Sequence, residues 1–99
     1  MGQYQHGYLD QKGCRLELMQ KNTQASVPFY LSNLGYGLLW NNPAVGEADF
    51  VKNQTRFTAD CAKQIDYWIT AGDTPAQVHD QYMDVVGKPP EMPEHGLGF

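Results

Sequence analysis

The chain has 99 residues, enough for one modest domain burying about 60–65% of its unfolded surface and too few for a large enzyme. Its hydrophobic content of 41%, with 12% aromatic residues, supplies material for a core and excludes a wholly disordered chain. The net charge is −4, and Lys12, Arg15, Lys21, Lys52, Arg56, Lys63 and Lys88 are scattered, which argues against electrostatic capture of nucleic acid or an anionic membrane.

Residues 1–9 hold no basic segment followed by an apolar run, and nowhere do about 18 apolar residues stand together, so no export or membrane-spanning signal is read. Compartment stays open. A weak strand is predicted over residues 15–19, followed by a polar loop, residues 19–26. The first clear strand places Val27, Phe29 and Leu31 on one face and Tyr30 and Ser32 on the other. Asn33-Leu34-Gly35 supplies the turn into a partner strand over residues 36–40, which together make a hairpin. Pro43 in Asn41-Asn42-Pro43 stops it, since proline lacks the ladder donor.

Further strands are expected over residues 47–52 and 55–61, the latter with Phe57, Ala59 and Cys61 on one face. In the last strong strand Ile65, Tyr67 and Ile69 alternate with Asp66, Trp68 and Thr70. After Gly72 the period changes to 3.6, with Val78, Tyr82, Val85 and Val86 on one helical stripe. Asp73 or Thr74 can cap this helix, Pro75 suits its first turn, and Thr74 to Gln77 has capping-box spacing. Gly87 suits the left-handed stop and Lys88 the negative end of the dipole. Pro89, Pro90 and Pro93 then make a stiff, extended connector that reads as a domain boundary. Gly96-Leu97-Gly98-Phe99 opens another apolar run and stops, so truncation is the expected explanation; a tail folding back on the sheets is the alternative.

Chemical constellations are sparse. Cys14 and Cys61 lack C-x-x-C spacing and read as two core thiols, with a bridge between them as the alternative. His6, His79 and His95 stand apart with no carboxylate at ligand spacing, so neither a metal nor another cofactor is expected. Asn53-Gln54-Thr55 matches the N-glycosylation pattern, which short sequences produce by chance. Asp66 beside Trp68 could serve a sugar, but residues two apart on a strand more simply decorate a sheet face. Asp80 and Asp84 read as a solvated helix face.

Three runs carry more: Tyr36-Gly37-Leu38-Leu39-Trp40-Asn41-Asn42-Pro43, then Ile65-Asp66-Tyr67-Trp68-Ile69-Thr70-Ala71-Gly72-Asp73-Thr74-Pro75, then Gly87-Lys88-Pro89-Pro90 through Met92-Pro93 to Gly96-Leu97-Gly98-Phe99. In this order and spacing they resemble the family 31 glycoside hydrolases, most of all bacterial α-xylosidase-like and α-glucosidase-like members, over essentially the whole chain. The resemblance implies a mainly β fold: part of a galactose-mutarotase-like antiparallel β-sandwich, followed by one α-helix and the Pro-rich connector. Residues 1–72 would be the partial N-terminal sandwich, 73–87 the helix, 88–95 the linker, and 96–99 the start of the first strand of an absent (β/α)8 barrel.

In that family the barrel hydrolyses α-linked glycosides with retention, using two aspartates that would lie beyond Phe99. Retention needs two carboxylates about 5–5.5 Å apart, and no residue of this chain corresponds to either. The resemblance also implies that residues 19–26 form a loop over the barrel mouth. Where many relatives have an Arg-Asp pair for a sugar hydroxyl, this chain has Lys21 and Asn22. Gln20, Asn22 and Thr23 are therefore the expected substrate-binding residues, their amides and hydroxyl able to donate and accept. The partners so implied are an α-linked sugar and the catalytic barrel, with homo-oligomerisation left open. The function expected is that of an inactive piece of a retaining α-glycosidase; a free-standing carbohydrate-binding or interaction module is the alternative.

Overall fold

A computed structural model describes residues 1–98. The strands are β1 (Gly2–Gln3), β2 (Arg15–Leu18), β3 (Ala25–Ser26), β4 (Phe29–Ser32), β5 (Tyr36–Trp40), β6 (Gly46–Asp49), β7 (Arg56–Ala59) and β8 (Tyr67–Ala71), followed by helix α1 (Pro75–Val86). All pairings are antiparallel, in two three-stranded sheets ordered β2-β6-β7 and β4-β5-β8, with β1 paired to β3.

The sheets face each other across an aromatic layer. Tyr30 of β4 meets Phe50 edge-on at 5.4 Å and stacks on Phe57 of β7 at 6.1 Å, while Trp40 of β5 lies over Phe57 at 5.5 Å. Beneath them Leu16, Ala48 and Phe50 form a buried core, as the register demands: Leu16 pairs with Ala48 and Ala48 with Phe57, which puts all three on the inner face. The outer face of the same sheet carries Arg15, Asp49 and Arg56 side by side, with Arg15 and Asp49 ion-paired at 3.3 Å.

The opposite face of β4-β5-β8 receives α1. Phe29 stacks on Tyr82 at 4.0 Å and Val78 is fully buried. This approach requires a glycine in the middle of β5, because a Cβ at Gly37 would stand 2.6 Å from the Phe29 ring and 2.9 Å from Val78. The capping box is formed as the sequence reads it: the Thr74 side chain accepts from the Gln77 N–H, and the Gln77 side chain accepts from the Thr74 N–H. Gly87 has φ of 102°, a conformation closed to most L residues.

Several expectations are corrected: the strand over 47–52 is Gly46–Asp49, and Val27 precedes β4. The last strand begins at Tyr67, not Ile65, because its partner β5 ends at Trp40; Asn41 then holds Asp66 through its N–H and its side-chain amide, and Ile65 is left exposed. Asp66 thus secures a strand end. The strand over 55–61 stops at Ala59, opposite Gly46 where its antiparallel partner β6 begins, so Cys61 is exposed; it and half-buried Cys14 are both free thiols. The helical stripe is covered only through Tyr82, and Val85 and Val86 are exposed. Lys88 pairs with Asp84 at 3.0 Å, which holds its ammonium pKa above the ordinary value. Beyond the prolines the chain makes one 3-10 turn, Glu94–Gly96, and Leu97 and Gly98 are irregular; Phe99, the last residue of the expected strand, lies outside the described residues.

The two helix contacts give opposite demands on size. Gly37→Ala should cost about 1–3 kcal/mol by overpacking, and Thr74→Ala about 1 kcal/mol by loss of the cap, each read as a lowered urea midpoint without a change in slope. Burial between the sheets, and then the neighbouring Tyr36 phenol, pushes the Tyr30 hydroxyl pKa well above its ordinary value of 10.0. A phenol held protonated in the folded state contributes stability that is complete below about pH 10 and is lost above it, where the unfolded chain ionises first. Urea midpoints at pH 8 and pH 11 should therefore fall more in the wild-type chain than in Tyr30→Phe; equal falls would refute this.

Candidate functional site: the crossover loop and the groove beside it

The polar segment after β2 carries the chain from one sheet to the other, turning back through β3. Lys21 and Gln24 form an isolated bridge, closed by the Gln24 N–H donating to the Lys21 carbonyl at 3.4 Å. The tip is therefore a tight turn with Asn22 and Thr23 at its centre. Thr23 has φ of 71°, the left-handed region, at the position where such turns favour Gly or Asn. A β-branched residue there is strained.

Two hydroxyl contacts hold it. The Thr23 hydroxyl donates to the Asn22 carbonyl at 2.5 Å and accepts from the Gln5 side-chain amide. The Asn22 side chain, at the exposed apex, makes no hydrogen bond within the described residues. Gln20 is placed differently: its Nε2 donates to the Ser26 carbonyl at 2.6 Å and its Oε1 accepts from the Ser26 N–H at 3.0 Å. Its amide replaces a strand partner for Ser26. Of the three residues singled out in the sequence, the structure brings Asn22 and Thr23 together at the tip and puts Gln20 at the base. Lys21 turns back to pair with Glu17.

The N-terminal segment, invisible to pattern reading, completes this region. β1 lies flush against β3, with Gly2 opposite Ser26 and the Val27 N–H donating to the Met1 carbonyl at 3.1 Å. A Cβ at Gly2 would meet the Ala25 carbonyl oxygen at 2.1 Å. Tyr4 then reaches the Glu17 carbonyl at 3.0 Å and the Ser26 hydroxyl at 2.9 Å. Between this arm and β2 opens a groove of about 330 Å³, walled by Tyr4, Gln5 and His6, by Arg15 and Glu17, and by Gln24 of the loop. A wider cleft of about 600 Å³ lies where the β4–β5 turn meets the start of α1, beside Gly35, Asp73 and Gln77. Among the described residues no group of three or more His, Cys, Asp or Glu is placed to hold a metal ion, and no helix is long and apolar enough to cross a membrane.

No family model matches the chain. Individual proteins do. The uncharacterized family 31 glucosidase ORF2 of Pseudescherichia vulneris is 58% identical over 99 residues, all of this chain and 19% of that protein. An α-xylosidase of Saccharolobus solfataricus is 32% identical over 99 residues, again all of this chain and 14% of the relative. The crystal structure of a GH31 α-xylosidase from a soil metagenome, complexed with xylose, is similar with a TM-score of 0.88 at 54% identity, over 93% of this chain and 14% of that one. The chain thus spans less than a fifth of the length of the relatives it matches.

The tip geometry predicts different outcomes for two substitutions. Thr23→Gly removes the Cβ strain but also both hydroxyl bonds, so the two effects offset and stability should change by less than about 0.5 kcal/mol, whereas Thr23→Val keeps the strain, loses both hydroxyl bonds and should cost about 1 kcal/mol. Gln20→Ala should cost about 1–2 kcal/mol for its two backbone bonds. Urea denaturation of the three variants checks all of these.

Proposed function

Because the chain is a segment of a family 31 glycoside hydrolase in sequence and fold, we propose that it works as the closing part of the N-terminal β-sandwich of a retaining α-glycosidase. The substrate class is α-xylosides or α-glucosides. In this reading residues 1–72 belong to the sandwich, 73–87 form the helix behind it, 88–95 connect, and 96–99 open the catalytic barrel. The segment itself breaks no bond.

The observation that carries the reading is the full-length match to proteins several times longer, together with the surface it leaves unmet. The accessible surface is 7672 Å², where a self-contained monomer of 11.2 kDa exposes about 5,700 Å². The radius of gyration is 14.9 Å, against about 13 Å for a compact chain of this length. Exposed Ile65, Tyr67, Ile69, Val85, Val86 and Met92 make up part of the excess. Such apolar exposure weighs against a free-standing binding module and for a segment that packs on more protein.

Within the parent, the crossover loop serves as the substrate edge. Asn22 offers its unengaged side-chain amide to a sugar hydroxyl, Thr23 holds the tip, and Gln20 contributes by fixing the loop base through Ser26. An amide here does what the family's carboxylate would do, with both donor and acceptor but no charge.

Two measurements test this. The purified chain should release no product from 4-nitrophenyl α-xyloside or α-glucoside, and turnover that survives removal of contaminating enzyme would sink the reading. Exchanging this segment into the soil-metagenome α-xylosidase should preserve activity, and Asn22→Ala in the exchanged enzyme should raise KM by about 2- to 10-fold, the worth of one neutral hydrogen bond. Unchanged kinetics would remove the loop from the substrate edge.

A further inference from the structure

β8 closes the sheet β4-β5-β8 on one side, and the hydrogen-bond register fixes which of its backbone groups face outward. The Asn41 N–H donates to the Asp66 carbonyl and the Gly72 N–H to the Gly35 carbonyl, so residues 66, 68, 70 and 72 turn their N–H and C=O toward β5. Tyr67, Ile69 and Ala71 turn theirs the other way. No backbone group among the described residues meets them. The Tyr67 and Ile69 side chains share the sheet face that carries Tyr30, yet lie beyond the cover of the aromatic layer: they are 55% and 54% exposed, and Ile65 just before the strand is exposed as well.

The other sheet ends are guarded. β2 carries Arg15 and Glu17, β7 carries Arg56, and β4 follows Pro28, charge and proline being what keeps an edge from pairing with another chain. Tyr67-Trp68-Ile69-Thr70-Ala71 has neither. The strand also complements itself. Turned antiparallel about Ile69, a second β8 sets Ile69 against its own copy, bulky Tyr67 against small Ala71, and Trp68 against Thr70. Asp66, the nearest charge, falls opposite Gly72, so no like charges face each other. Every outward N–H and C=O of residues 67, 69 and 71 then finds a partner in both copies.

We propose that two copies of this chain associate by pairing β8 with β8 across a two-fold axis at Ile69, merging their β4-β5-β8 sheets into one continuous sheet. Part of the apolar surface that the fold leaves open is thereby covered by a second copy, and the pairing makes no use of the crossover loop or of any sugar. Ile65, Tyr67, Ile69 and the strand backbone offer on the order of 500 Å² per copy, about 1,000 Å² in the pair, the lower limit for a specific interface and the size of weak, reversible ones. Association in the micromolar range or weaker follows.

Sedimentation equilibrium of the chain over about 1–500 μM should show a monomer–dimer equilibrium. Ile69→Lys brings two like charges together at the axis and should raise the dimer Kd by about 10-fold or more. Val85→Lys, at an equally exposed position on α1, should leave it unchanged. Amide exchange in the wild-type chain gives a readout that needs no variant: the N–H groups of Tyr67, Ile69 and Ala71 should exchange fast in dilute solution and slowly at high concentration, while those of Trp68 and Thr70, bonded to β5, stay protected in both. A chain that is monomeric at every concentration overturns the pairing and leaves the edge to a strand of another polypeptide. A dimer that Ile69→Lys does not weaken, that Val85→Lys does, or that forms without protection at residues 67, 69 and 71 has its contact elsewhere and overturns the pairing too.

Discussion

The aromatic layer between the two sheets is the contact on which the rest depends. Neither β2-β6-β7 nor β4-β5-β8 is wide enough to be stable without burying one face, and Tyr30, Trp40, Phe50 and Phe57 fill the space between them. Because β2 lies in one sheet and β4 in the other, the chain between them must cross the edge of the sandwich. The crossover loop is that crossing. Its position at the edge of the sandwich follows from the packing of rings between the sheets.

The second constraint is that β4-β5-β8 is covered on both faces. Its first face meets the aromatic layer and its second meets α1, so Phe29 and Tyr30, neighbours in sequence, serve two different interfaces. This is why apolar residues there do not alternate cleanly with polar ones, and why β5 needs Gly37 at its centre. Dispersion between closely stacked rings, as in Phe29 on Tyr82, favours so near an approach of helix to sheet.

Legibility in the sequence tracked how local each signal was. The hairpin from Phe29 to Trp40 was readable because Asn33-Leu34-Gly35 is a turn between two short runs rich in apolar and aromatic residues, and the helix start because Thr74, Pro75 and Gln77 act within one turn. β1 and β3 were not, since two-residue strands have no period and their pairing depends on Gly2 meeting Ser26 across the chain. The start of β8 was misread because Ile65 continues the alternation while its partner strand has already ended at Trp40. At the candidate site, the family resemblance pointed to Gln20, Asn22 and Thr23 alike. Only coordinates separate the amide engaged with Ser26 from the amide left open at the apex. The arm carrying Gln5 and His6 had no sequence signal beyond three aromatic residues at alternate positions.

The strained turn at Thr23 is a cost that the rest of the fold must offset. A β-branched residue at φ of 71° works against folding by about 1–2 kcal/mol, in a chain whose buried apolar side chains among the described residues are Leu16, Phe29, Ala48, Phe50 and Val78. What the strain accompanies is a tip whose hydroxyl is bonded on both sides, to Gln5 and to Asn22, so the Asn22 amide is presented from a backbone with little freedom left to lose. Pre-organisation of that kind improves binding by lowering the ordering cost of the complex. A small fold bears such a cost poorly, whereas a sandwich that buries its remaining apolar faces against further protein bears it easily. The strained tip and the small buried core thus pull in opposite directions: rigidity at the loop is held within a fold that has little apolar burial to offset it.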